Sequence, residues 1–150
     1  MHFRSFFAIA VLIAGAAALH GAVLPTGVSL DPAAPSHPAG SLPLGAAISP
    51  EGDRVALLLC GWREQGVQVM DRTTGEITQM IKQPAAFVGI AFSPDGQSLW
   101  ASGGNDDSVF RYAWRDKTAT LVTRIELQIK KDAKASGVSY PAGLALSHDG

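Results

Sequence analysis

One six-residue phrase occurs three times in this chain: Ala47-Ile48-Ser49-Pro50-Glu51-Gly52, Ala91-Phe92-Ser93-Pro94-Asp95-Gly96 and Ala145-Leu146-Ser147-His148-Asp149-Gly150. Aligning Ser49, Ser93 and Ser147 extends the match upstream, through Leu44-Gly45-Ala46, Val88-Gly89-Ile90 and Ala142-Gly143-Leu144. Every second residue is small, and those between are mostly larger and apolar. Alternation with period two signals a strand, because successive side chains leave opposite faces. With both faces apolar, one bulky and one small, the strand suits burial on both sides. The Pro-Glu-Gly or Pro-Asp-Gly that follows is a turn, since Pro presets φ and Gly accepts positive φ.

The spacing is 44 residues from Ser49 to Ser93 and 54 from Ser93 to Ser147. A period in the forties with several strands per unit predicts an all-β fold, a β-propeller of four-stranded antiparallel blades. The first blade is expected over residues 44–82, with further strands at Val55–Leu59, Val67–Met70 and Ile77–Ile81. The second is expected over 86–127, as Val88–Ser93, Ser98–Ser102, Val109–Trp114 and Ala119–Leu127. A third begins at 141–150. Phe110, Tyr112 and Trp114 alternate along one strand and predict packing between blades. Two blades and an opening strand cannot close a ring of 4–8 blades, so the expectation is an incomplete ring, the N-terminal part of a longer protein. An up-and-down barrel or sandwich also uses short strands, but neither requires the same phrase at a fixed period.

The repeats resemble YVTN-type bacterial β-propellers, which carry an S-P-D-G turn after the inner strand. Three stretches narrow the resemblance to a secreted family in which a propeller precedes a phosphoesterase domain of the alkaline phosphatase superfamily. They are Leu24-Pro25-Thr26-Gly27, Phe87-Val88-Gly89-Ile90-Ala91-Phe92 and Gly103-Gly104-Asn105-Asp106-Asp107-Ser108-Val109. The naming tetrapeptide is absent, the matching strands reading Leu57-Leu58-Leu59-Cys60 and Leu99-Trp100-Ala101-Ser102. The resemblance implies a phosphoesterase neighbour in the full-length chain, and none of that domain's ligands or nucleophile maps onto these residues.

Arg4 with His2, the apolar run Phe6–Ala18 and the small Ala16-Ala17-Ala18 have the layout of a secretory signal peptide over 1–18, cleaved close after Ala18. The thirteen-residue run falls short of the roughly 20 residues that span a bilayer. Export to the bacterial periplasm or exterior is expected, with no transmembrane span after cleavage. Residues 19–43 form a leader rich in Pro (Pro25, Pro32, Pro35, Pro38, Pro43), extended and unsuited to an inner strand. Cys60 is the only cysteine, so no internal disulfide forms, and it reads as a small apolar residue ending a strand.

Apolar residues at 47% and charged residues at 17% support a packed core. A formal net charge of −1 argues against a nucleic-acid partner. No catalytic constellation is present: the histidines (His2, His20, His37, His148) lack metal-ligand spacing, and no phosphate loop opens a helix. No cofactor or metal is expected.

The binding candidates are loops. Asn105, Asp106 and Asp107 read as a cation or polar-ligand site or as a solvated turn, and two adjacent carboxylates cannot complete a calcium shell. Trp62, Arg63 and Glu64 occupy the corresponding loop of the first blade, where Trp beside Arg is a contact point unless the ring folds back on the blade edge. The insertion around Lys131 either meets an anionic partner or is a solvated loop. In a meander all these loops leave by the edge opposite the S-P-D-G turns, the edge predicted to bind. The leading function is a non-catalytic exported scaffold that presents loops to a ligand, a protein partner or a catalytic neighbour. The alternatives are an enzyme with its site on the propeller, such as a lactonase-like hydrolase, and an interaction propeller with no enzyme attached.

Overall fold

A computed structural model describes residues 22–30, 35–128, 132 and 136–149; the expected signal peptide and Lys131 lie outside them. The chain divides into two compact units, Met1–Ser36 and His37–Gly150. The first holds a two-stranded antiparallel hairpin, β1 (Ala22–Val23) with β2 (Ser29–Leu30), within the leader.

The second unit carries two four-stranded antiparallel sheets, and each is a meander in chain order. One comprises β3 (Pro43–Ile48), β4 (Arg54–Cys60), β5 (Gln65–Asp71) and β6 (Ile77–Lys82). The other comprises β7 (Ile90–Phe92), β8 (Ser98–Ser102), β9 (Ser108–Arg115) and β10 (Thr118–Glu126). The eight strands lie where the sequence places them, with ends displaced by one or two residues. Pro43, assigned to the leader by composition, opens β3; a first position in a strand is one of the few that proline tolerates.

The repeated serine explains why the phrase makes a turn. Ser49 Oγ accepts the Arg54 amide at 3.1 Å, and Ser93 Oγ accepts the Ser98 amide at 2.9 Å. Gly52 and Gly96 then take φ of +77° and +71°, which only a residue without Cβ adopts cheaply. Ser93 also donates to Asp95 Oδ1 at 2.5 Å, and that carboxylate accepts the Gln97 amide. Together these bonds hold the Asp95 carboxyl below the usual range. Asp149 is lowered first by the Ser147 hydroxyl, so the third turn repeats the chemistry.

The core lies between the two sheets. Ala56, Leu58, Val67 and Val69 meet Leu99, Ala101, Phe110, Tyr112, Trp114 and Ala119, all buried. The register explains the selection, because Ala56 pairs with Val69 and Leu58 with Val67, and paired residues share a face. The stripe Phe110, Tyr112, Trp114 packs between the two sheets, on the one face that its spacing predicts, and Phe92 meets Trp114 edge-on at 5.0 Å. Polar groups stitch the rim: Gln79 of β6 donates to the Ala119 carbonyl at 2.8 Å and accepts its amide at 2.9 Å.

The small residue of each inner strand has a steric cause. A Cβ on Gly45 would lie 2.5 Å from the Val88 carbonyl oxygen and 3.0 Å from the Ile90 side chain. A Cβ on Gly89 would strike the Ala142 carbonyl and the Leu144 side chain. In the repeat alignment Val88 corresponds to Ala142 and Ile90 to Leu144. The third copy therefore sits on the second as the second sits on the first. Residues 141–147 nevertheless form no strand ladder among the described residues, although the Pro141 carbonyl accepts the Gly104 amide at 3.2 Å.

The segment preceding each inner strand is held by a repeated latch. Gln65 Oε1 accepts the Ala86 amide at 2.8 Å, and Asp107 Oδ1 accepts that of Tyr140 at 2.8 Å. Ala86 and Tyr140 both stand seven residues before their serine. The leader has a place too: the Gly40 amide donates to buried Gln68 at 3.0 Å, so residues around Gly40 cover the first sheet's other face.

Candidate functional site

The two sheets have a tight edge and an open one. Pro50 lies against Gly96, bringing the S-P-E-G and S-P-D-G turns together. The β4–β5 loop, the β8–β9 loop and the link from β6 to β7 leave by the opposite edge, as a meander requires. All the loop candidates among the described residues belong to it.

The β8–β9 candidates are turned to structural tasks. Gly104–Asp106 is a 3₁₀ turn, and Asp107 follows in the left-handed region at φ 55°. Asp107 is fully buried, and its carboxylate accepts the amides of Val138, Ser139 and Tyr140 at 2.8–2.9 Å. Asn105 is exposed, yet its Oδ1 accepts the Gly137 amide at 2.7 Å. Asp106 pairs with Arg124 at 3.0 Å. This loop holds residues 137–140 in place and is not gathered around an open cleft.

The β4–β5 loop is arranged differently. Trp62 is fully exposed, Arg63 is exposed and Glu64 is half-buried. Trp62 does not fold back onto the blade edge. These three line a cleft of about 260 Å³ together with Lys82 and Gln83 from the end of β6. On its other side the loop lines a second cleft of about 370 Å³, where Arg63 and Glu64 face Ala39, Gly40 and Ser41.

Gln83 is the residue that sequence reasoning missed. Its main chain is fixed, the amide donating to the Gln65 carbonyl at 3.0 Å. The residue is 7% exposed, and neither Oε1 nor Nε2 has a hydrogen-bond partner among the described residues. A buried polar group left so costs about 1–3 kcal/mol. Arg63 and Lys82 form no ion pair among the described residues either. The sequence carries a faint signal: Lys82-Gln83 are polar residues between an outer strand and Pro84. Among the described residues no group of three or more metal-ligating side chains exists. The cleft, which Gln65 and Pro84 also line, offers a flat aromatic ring, two cations and one carboxylate, while the amide of Gln83 is buried beneath it.

No protein-family model and no curated protein matches the sequence. Solved structures do. Hydrazine synthase of Kuenenia stuttgartiensis, a propeller-containing protein, matches 77% of this chain with a TM-score of 0.53 at 17% identity. A candidate 6-phosphogluconolactonase of Bacteroides uniformis matches 55% of it with a TM-score of 0.44 at 15% identity. The chain spans 29% of the first and 25% of the second, less than a third of either. The likeness to the first, with two consecutive four-stranded antiparallel meanders, places the chain in the propeller-like fold class.

Proposed function

We propose that this chain is part of an exported β-propeller that acts as a non-catalytic scaffold and binds a ligand or partner on the edge bearing Trp62 and Arg63. The observation that carries the reading is the division of labour between the two edges. One is spent on repeated turns closed by Ser49 and Ser93, and the other carries loops that differ between repeats and flank a cleft with unpartnered polar groups. Binding is usually built on such variable loops, while scaffold turns stay uniform.

The reading extends to the rest of the protein. The resemblance to YVTN-type repeats and to the phosphoesterase-linked family supports further blades followed by a phosphoesterase domain, beside which the propeller would position substrate or a partner. Secretion rests on the signal-peptide layout of residues 1–18.

Hydrolysis of lactone and phosphoester substrates by purified protein of this sequence tests the scaffold reading. The expected rates equal those of the uncatalysed reactions. Turnover above background that is lost on substitution within residues 44–128 would overturn it. Sequencing the gene beyond codon 150 tests the proposed neighbour. N-terminal sequencing of the exported product tests cleavage near Ala18, and a mature protein beginning at Met1 refutes it.

A further inference from the structure

We propose that residues 37–42 are a cap: on the first sheet they take the place that a neighbouring sheet takes on the second, and so keep copies of this chain from stacking head to tail. The inference does not depend on which edge binds.

The two sheets correspond strand by strand. Leu57 pairs with Gln68 as Ala101 pairs with Phe110, and Val55 with Met70 as Leu99 with Tyr112. The Arg72 amide donates to the Asp53 carbonyl as the Trp114 amide donates to that of Gln97. The stripe Phe110, Tyr112, Trp114, which packs against the first sheet, therefore has Gln68, Met70 and Arg72 as its counterparts. None of the three is aromatic. A buried amide facing another apolar sheet would lack a partner, at a cost of about 1–3 kcal/mol. Gln68 has one, because its Oε1 accepts the Gly40 amide at 3.0 Å.

Residues 37–42 are fitted to that face along their length. His37 lies on Gly75 in the β5–β6 turn, where a Cβ would strike its ring. A Cβ on Gly40 would strike the Leu59 side chain, so glycine alone lets the main chain lie this close. Ser41 lies in the same way on Gly61, at the opposite edge. The Leu42 carbonyl then accepts the Cys60 amide at 3.0 Å, and the chain turns into β3. Beneath this strap Leu59 and Met70 are buried, although neither belongs to the core between the sheets. Beside it Ile48, which stands where Phe92 does in the second sheet, is left 56% exposed.

The second sheet leaves its outward face open around exposed Arg111, which lies over the Trp100 ring at 5.6 Å. Trp100, Val109 and Arg111 hold the positions of Ala56, Val67 and Val69, with which the first sheet receives the second. An uncovered first sheet would offer the open face of another copy a second, different surface. Such a heterologous contact does not close and grows into chains. Arrays of stacked repeats need terminal caps for this reason.

Sedimentation velocity over a concentration series tests the cap, with the parent protein beside Gly40→Val. The substitution should lift the strap, read as faster hydrogen exchange at the Cys60 amide. The variant's mass is expected to climb past that of a dimer as concentration rises, while the parent's stays at or below it. Gln68→Phe, which removes the acceptor of the Gly40 amide, should do the same and serves if Gly40→Val fails to fold. Adding Ile48→Lys should return either variant to the parent's mass, because it puts a charge on the uncovered face. Parent protein that itself grows past a dimer overturns the cap, as does a released strap without growth. A strap that stays protected in both variants, or growth that Ile48→Lys leaves unchanged, overturns it too.

Discussion

The backbone carbonyl of Ala142 occupies the space that a side chain on Gly89 would need. The same relationship joins Val88 to Gly45, so one steric contact is used twice to set successive inner strands side by side. Neither glycine has positive φ, and close approach alone demands the missing Cβ. Gly89→Ala should therefore destabilise the protein by about 1–3 kcal/mol, as overpacking does. Gly143, the equivalent residue of the third copy, has nothing within 4 Å. Gly143→Ala should stay within about 0.5 kcal/mol of the parent. Urea melts of the two variants check the contrast, and equal stabilities would refute it.

Asp107 should matter for stability and Asp106 much less. Asp107→Asn keeps the shape and the oxygen that accepts from Ser139 and Tyr140, but it removes the negative charge facing three backbone amides and replaces the second acceptor of Val138 by a donor, at a cost of about 1–3 kcal/mol. Amide exchange at Val138, Ser139 and Tyr140 should quicken together. Asp106→Asn weakens only a partly exposed pair with Arg124, worth about 0–1 kcal/mol. Protection of 138–140 that is unchanged in Asp107→Asn would show that the latch is idle.

Acid should weaken the fold through its turns. The Asp71 carboxyl is lowered first by the amides of Thr74 and Thr73, with Arg54 adding to them, and Asp95 is lowered first by the Ser93 hydroxyl. A carboxyl whose folded pKa lies below its unfolded value of about 3.9 contributes fully above that value. The contribution is lost as pH falls through the folded pKa. Melting temperature should therefore drop below about pH 4, and the double variant Asp71→Asn, Asp95→Asn should show a shallower drop. Parallel pH profiles for parent and variant would exclude these two groups.

Cys60 should be inert in the native protein. Its Sγ donates to the Ala86 carbonyl at 2.8 Å, and burial raises the thiol pKa. The thiolate is the reactive form, so a disulfide reagent at neutral pH should label Cys60 far more slowly in native than in urea-unfolded protein. Equal rates in the two states would contradict the structure.

The two edges should separate in mutagenesis. Gly96→Ala forces a Cβ at φ +71° and against Pro50, and should cost about 1–2 kcal/mol or more. Gly52→Ala meets the same φ penalty but no neighbour, and should cost less. Trp62→Ala removes a ring that buries nothing and should leave the melting temperature within a degree or two, about the effect expected of an exposed site. A large fall for Trp62→Ala would mean the ring packs on the blade after all.

The repeated phrase by itself determined the strand order, the two meanders and the tight turns. These rest on local rules: alternation sets the faces, Ser, Pro, Asp and Gly set the turn, and Phe110, Tyr112 and Trp114 declare their stripe without reference to distant residues. Tertiary structure decided what depends on partners far along the chain. Gln65 and Asp107 hold equivalent links with different side chains, so no similarity of letters marks them. The same Asp107 that reads in sequence as an exposed loop carboxylate is fully buried once residues 138–140 fold over it. Residues 142–147 have a strand's sequence and an inner strand's position but no ladder, because pairing belongs to two segments and not to one. The cleft is of the same kind: Trp62 and Gln83 are ordinary in sequence, and only the return of β6 alongside β5 brings them to one cavity.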